Sequence, residues 1–289
     1  MKRKIAALLM ASALTAALIT ACGSGDEETS GESAEETTAE ETSGEESEEA
    51  SDGYVSAEDA VAAAKAGDTH VLDVREWANY VGGRVVNSEW CPIFPLEDDS
   101  LAEAMTEYAD ANFGDDKDIY IICNSGAKGA EKATEVLTES GIDPSRLFTV
   151  EGGAKALAEV DGALTTNRTE ENIEWQYVSG EDAVAAVGDD EVQFLDVRDD
   201  ETYAAGHLEG SLQCNLKEIE DAEAQTQMYE LATGEMDPEK PVYILCYSGN
   251  NCAKTAISVM KDAGFDTDNL FIIEDGAKNA EVSAAFVTE

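Results

Sequence analysis

Residues 242–264 read Val-Tyr-Ile-Leu-Cys-Tyr-Ser-Gly-Asn-Asn-Cys-Ala-Lys-Thr-Ala-Ile-Ser-Val-Met-Lys-Asp-Ala-Gly. The apolar run Val242 to Cys246 is of the kind buried on both faces of a parallel sheet. A turn containing Gly249 follows. Ala253 to Ala263 then places Ala256, Ile257, Val259 and Met260 on a stripe of helical period that stops at Gly264, a residue suited to a C-terminal cap. Strand, turn and helix in this order belong to α/β architecture, and Cys246 falls at the carboxyl end of the strand, where such sheets place their sites.

The same arrangement stands 123 residues earlier, with Ile119 to Cys123 as strand, Asn124, Ser125, Gly126, Ala127 and Lys128 as turn, and Gly129 to Ser140 as helix. That offset also relates Leu72-Asp-Val-Arg75 to Leu195-Asp-Val-Arg198, Cys91 to Cys214, Gly141 to Gly264, and Tyr54-Val-Ser56 to Tyr177-Val-Ser179. Solenoid repeats run to roughly 20–50 residues, whereas a unit of about 100 closes its own core. In the second copy Ser179 caps a helical stretch from Gly180 to Val187, and Val192 to Val197, Leu212 to Leu216 and Leu270 to Ile273 read as further strands. The expected fold is α/β, as two tandem domains over residues 54–165 and 166–289, each a small parallel sheet flanked by helices.

Upstream, Lys2, Arg3 and Lys4 precede an apolar run from Ile5 to Leu18 and then Ile-Thr-Ala-Cys22, the layout of an export signal over residues 1–22. The run is below the ~20 residues a spanning helix needs. Its last four residues resemble a bacterial lipobox, which implies lipid on Cys22 and anchoring to the cell membrane or outer membrane by that lipid, facing outside the cytoplasm. Residues 23–53 carry thirteen Asp or Glu and no Lys or Arg, and are expected to form a disordered, extended tether.

Without the signal and tether, 50 acids face 15 bases, which excludes nucleic acid as a partner because its phosphates require Lys and Arg. With Cys22 lipidated, Cys91, Cys123, Cys214, Cys246 and Cys252 remain. That odd number argues for at least one free thiol in an exported protein. His70 and His207 are the only histidines and assemble no metal set with the cysteines, and nothing in the chain calls for a cofactor.

A cysteine between strand end and helix start has loop amides and helix partial charge to favour its thiolate, the form that acts as nucleophile. The alternative is a buried cysteine serving as a small hydrophobe. The motif set resembles the rhodanese-like sulfurtransferases. It comprises Leu195-Asp-Val-Arg198, Tyr203-Ala-Ala-Gly206-His207-Leu-Glu-Gly210-Ser211, and the loop Cys246, Tyr247, Ser248, Gly249, Asn250, Asn251. The first copy has Leu72-Asp-Val-Arg75, a weaker Tyr80-Val-Gly-Gly83-Arg84, Cys123 to Lys128, and Gly152-Gly153.

The resemblance implies that Cys123 and Cys246 are nucleophiles carrying a persulfide in loops 124–128 and 247–251. The donor would be a small sulfur-containing anion or persulfide and the acceptor a thiol. Where the family has Arg at the sixth loop position this chain has Lys128 and Asn251. Lys keeps charge without the planar fork, and Asn has neither. Asp73, Arg75, Asp196 and Arg198 are expected to fix strand ends through hydrogen bonds, and His207 to make a structural bond. Cys252 stands where the family often has Ser or Thr, as a small replacement or a resolving thiol for Cys246. Two other readings stay open: a non-catalytic binding module of this fold, and a dithiol redox protein using Cys246 with Cys252 or Cys91 with Cys123.

Overall fold

The computed structural model describes residues 53–170 and 173–288. The signal segment with Cys22 and all of the expected tether before Gly53 lie outside them. The chain runs through β1 (Tyr54–Val55), α1 (Ala57–Ala66), β2 (His70–Asp73), α2 (Trp77–Val81), β3 (Glu89–Trp90), α3 (Asp99–Asn112), β4 (Ile119–Ile122), α4 (Lys128–Glu139), β5 (Leu147–Val150) and α5 (Gly153–Leu157). It then repeats the order with β6 (Gln176–Val178), α6 (Gly180–Ala185), β7 (Gln193–Asp196), α7 (Asp200–Ala205), β8 (Leu212–Gln213), α8 (Ala222–Glu235), β9 (Val242–Leu245), α9 (Asn251–Asp262), β10 (Leu270–Ile273) and α10 (Ala280–Ala284).

Each copy forms one five-stranded sheet, ordered β1-β5-β4-β2-β3 and β6-β10-β9-β7-β8, with every pairing parallel. Because parallel strands require crossovers, helices cover both faces, and β2, β4, β7 and β9 are each buried at three of their four residues. In the first domain Leu72, Ile119 and Ile121 face one core and Val71, Ile122 and Val150 the other. The second domain repeats this division with Leu195, Val242 and Ile244 against Phe194, Leu245 and Ile273. Ser179 caps α6 as its motif predicts, accepting from the Asp182 amide at 3.1 Å while its hydroxyl donates to the Asp182 carboxylate at 2.7 Å. Among the described residues, no helix is long and apolar enough to cross a membrane.

The two sheets belong to one compact unit, joined through α2 and α8. Trp77 stacks on Tyr229 with ring centroids 4.3 Å apart, and its indole N–H donates to the Thr226 hydroxyl at 2.9 Å. Behind this contact Arg84, fully buried, lies 5.3 Å over the Tyr80 ring and donates across the junction to Gln225 at 3.2 Å. From the connecting segment, Arg168 grips both oxygens of Asp262, donates to Glu170 and lies 5.7 Å from the centroid of the same Tyr80 ring. Lys261 closes the group on Glu170 at 2.9 Å.

Candidate active site

Cys123 and Cys246 are the first residues beyond β4 and β9, each 2% exposed, so the sheet delivers both sulfurs to its carboxyl edge. The loops that follow have one backbone. Gly126 and Gly249 share a φ of +64°, and the residues before α4 and α9 match closely, Ala127 at φ −133°, ψ −122° and Asn250 at φ −141°, ψ −129°. This curl turns an amide back onto the sulfur: the Ala127 N–H donates to Cys123 Sγ and the Asn250 N–H to Cys246 Sγ, both at 3.3 Å. An N–H aimed at sulfur at a helix start favours negative charge there.

The loops are clamped from behind by the turn after β5 or β10. The amides of Ala154 and Ala277 each donate at 2.8 Å to the carbonyls of Cys123 and Cys246. Gly153 and Gly276 have φ of +58° and +53°, and a Cβ at either would collide with the cysteine carbonyl and with two loop amides. Glycine is therefore required by close approach as well as by the left-handed backbone. In the second copy Asp275, at φ +60°, stands where the first has Gly152.

Lys128 and Asn251 begin their helices on exposed positions, and neither makes a side-chain hydrogen bond or ion pair among the described residues. Asn124, Ser125, Ser248 and Asn250 likewise line the rim without side-chain bonds, whereas Tyr247 is tied. Its hydroxyl donates to Asp199 at 2.5 Å and accepts from the Asp199 amide at 2.8 Å, and Lys217 Nζ reaches the same carboxylate at 3.1 Å. The Tyr247, Thr202 and Lys217 donors hold the Asp199 carboxyl well below the usual carboxylate range. The first copy has Glu76, Asn124 and Phe94 at these three positions, so the rims differ. Beyond Lys217 a groove of about 580 Å³ is lined by Asp200, Glu218, Asp221, Glu223, Glu230 and Glu235. Among the described residues Lys217 is the one cation of that lining.

The other thiols sit apart from this chemistry or behind it. Cys91 and Cys214 are buried in the cores, and burial pushes their thiols up to about 12 and about 11. Cys252, in the first turn of α9, is half-buried against the core that holds Cys246. All five described cysteines are free. The Asp and Arg pairs act at strand ends: Arg75 forks onto Asp73 and donates to the Gly83 carbonyl at 2.8 Å, and Arg198 repeats this with Asp196 and Gly206 at 2.7 Å. His207 stacks on Tyr203 with centroids 4.0 Å apart, its Nδ1 3.1 Å from the Tyr203 carbonyl oxygen. Among the described residues no group of three or more His, Cys, Asp or Glu is placed to hold a metal ion.

The Asp199, Tyr247 and Lys217 group, and the packing of the Phe94 ring against the open face of Gly129, leave no mark in the motifs. The signal for them lies in the positions where the two copies disagree: 76 and 199, 94 and 217, 124 and 247, 129 and 252.

Comparison with solved structures finds the rhodanese-like domain of the Anabaena sp. protein Alr3790 at 18% identity, covering 40% of this chain and 81% of that one, with a TM-score of 0.31. A thiosulfate sulfurtransferase from Pseudomonas aeruginosa matches at 15% identity over 81% of this chain and 43% of that one, TM-score 0.36. SseA from Escherichia coli, described as a 3-mercaptopyruvate sulfotransferase, matches at 18% identity over 78% and 98%, TM-score 0.33. The model of the Rhodanese-like domain matches residues 56–159 and again residues 179–281, together most of the chain. With both sheets, both cysteine loops and both matched segments in register, the chain belongs to the rhodanese-like family and carries two of its domains in tandem.

Proposed function

We propose that this chain is an exported, lipid-anchored sulfurtransferase. The Cys123 and Cys246 thiolates attack a sulfane sulfur, hold it as a persulfide and pass it to a thiol acceptor. The observation that carries the reading is the duplicated placement of a buried sulfur at the sheet edge, each accepting a loop amide at 3.3 Å. Such a preformed donor stabilises the anionic cysteine sulfur both before attack and when the S–S bond breaks and the outer sulfur passes to the acceptor.

The two sites divide the donors. Lys128 stands beside the first loop without an ion pair among the described residues, while the second loop has Asn251 there and the Lys217 near its rim is engaged by Asp199 and lines an acidic groove. The first site therefore leads with sulfonate-type dianions such as thiosulfate, and the second with neutral or persulfidic donors. Intact-mass measurement after exposure to thiosulfate, 3-mercaptopyruvate and polysulfide tests this. A gain of about 32 Da per loaded loop is expected. Cys123→Ala abolishes loading by thiosulfate, and Cys246→Ala leaves it largely intact. Equal losses in the two variants overturn the division, and the absence of any adduct with every donor leaves a non-catalytic binding module, the reading that the uncharged Asn251 favours.

Anchoring through Cys22 completes the proposal. Cys22→Ser is expected to move the protein from the membrane to the soluble fraction on cell fractionation. Retention of that variant in the membrane would contradict it.

A further inference from the structure

The two loops differ immediately behind the nucleophile. At the second position of α4, Gly129 has no side chain, and a Cβ built there stands 3.0 Å from Cys123 Cβ and against the Phe94 ring, which fills the space. At the equivalent positions the second domain has Cys252 for Gly129 and Lys217 for Phe94, and the lysine is held by Asp199. Since the backbones of the two loops coincide in their dihedral angles, the separation found at Gly129 carries over to Cys252, with the few tenths of an ångström that a real side chain demands. Disulfides join Cβ atoms about 3.5–4.5 Å apart. Burial first, then the Cys246 sulfur and the Glu218 carboxylate, push the Cys252 thiol up to about 11.

We propose that Cys252 is a resolving thiol that discharges a persulfide on Cys246 as sulfide, leaving a Cys246–Cys252 disulfide. The inference rests on the persulfide reading above. The Cys252 thiolate attacks Cys246 Sγ, the inner sulfur. The Cys252–Cys246 S–S bond forms, the bond to the outer sulfur breaks, and its electron pair departs with that sulfur as HS⁻. The outer sulfur is reduced to sulfide and the two cysteines are oxidised to the disulfide, so the sulfur donor is the only oxidant. A dithiol reductant then restores both thiols. At the first site Gly129 supplies no second thiol, so a persulfide on Cys123 persists until an external acceptor takes it. The duplicated domains thus differ in product, a carried sulfur from the first and free sulfide from the second.

The test uses the full chain bearing Cys123→Ala, with and without Cys252→Ser, charged anaerobically with inorganic polysulfide and desalted. Without the Cys252 change, the protein is expected to fall about 2 Da below its reduced mass while releasing one equivalent of sulfide. With Cys252→Ser, a gain of about 32 Da persists and sulfide release slows at least tenfold. Because the attacking thiol is mostly protonated near neutrality, release from the first protein rises about tenfold per pH unit from 7 to 9. A stable gain of about 32 Da with Cys252 present, whether mapped to Cys246 or passed on to Cys252, overturns the inference and leaves the persulfide reading standing. Failure of both proteins to gain mass, form the disulfide or release sulfide overturns the persulfide reading at Cys246 itself, and the inference with it.

Discussion

Arg168→Leu lowers the unfolding free energy by about 3–5 kcal/mol, the loss typical when one partner of a buried ion pair is removed. Arg168 is 2% exposed, and it meets Asp262 through two bonds of 2.7 and 2.5 Å while also donating to Glu170. Burial opposes the guanidinium charge, but Asp262 and Glu170 outweigh it and hold Arg168 above its ordinary range. Leucine would leave the Asp262 carboxylate without a cation in contact, and Glu170 with only Lys261. Guanidinium denaturation of the two proteins checks the value. Arg168→Leu combined with Asp262→Leu should recover part of the loss, because no uncompensated charge then remains at that pair. A loss below about 1 kcal/mol for the single change would mean that water reaches the cluster and screens it.

Gly276→Ala should reduce persulfide loading at Cys246 about a hundredfold, the scale on which a misplacement near 1 Å costs activity, while Cys123 loads normally. The added Cβ would lie 2.7 Å from the Gly249 nitrogen and 2.9 Å from the Ser248 nitrogen, and it would also press on the Cys246 carbonyl, so the amide curl around the sulfur has to open. Alanine at φ +53° adds about 1–2 kcal/mol of backbone strain. The neighbouring change is the control. Asp275 holds φ +60° with a side chain, where the first copy uses Gly152, so Asp275→Gly should leave loading unchanged and stability equal or higher. Site-resolved mass mapping after polysulfide treatment distinguishes these outcomes, and normal loading of Cys246 in Gly276→Ala would show that the clamp tolerates displacement.

The central strands and the cysteine loops were legible because local signals are sufficient there. Val242 to Leu245 and Ile119 to Ile122 are apolar at nearly every position, Ser179 writes its own cap, and the 123-residue offset aligns everything between. The edge strands were harder. β1 and β6 have two and three residues, too few for any periodicity to register, and they exist because β5 and β10 offer them an edge to pair with, while the expected strand Leu212 to Leu216 shortens to Leu212–Gln213. Helix α8 was passed over for a related reason. Its packed face mixes Met228 and Ala232 with Gln225, a fully buried amide that accepts from Arg84 across the junction and donates to the Thr166 and Ile219 carbonyls, so no apolar stripe announces it. At the site, motif matching singled out the two cysteines and their loops but not the Asp199, Tyr247 and Lys217 group, because a contact between residues 48 and 18 positions apart follows from the sheet and leaves no trace in local spacing.

The docking of α2 on α8 also limits how many such domains can join. A contact between unlike faces of two copies of one fold is heterologous, and if both copies kept both faces the molecules could add end to end into open filaments. Here each copy has kept one face. The second domain has Asp200 where Trp77 provides the stacking ring, and the first has Ala102, Glu103 and Thr106 where Gln225, Thr226 and Tyr229 receive it. Neither copy carries both halves of the Trp77 and Tyr229 contact, so this joint is made within the chain and cannot be repeated with the same residues by a further copy of either domain.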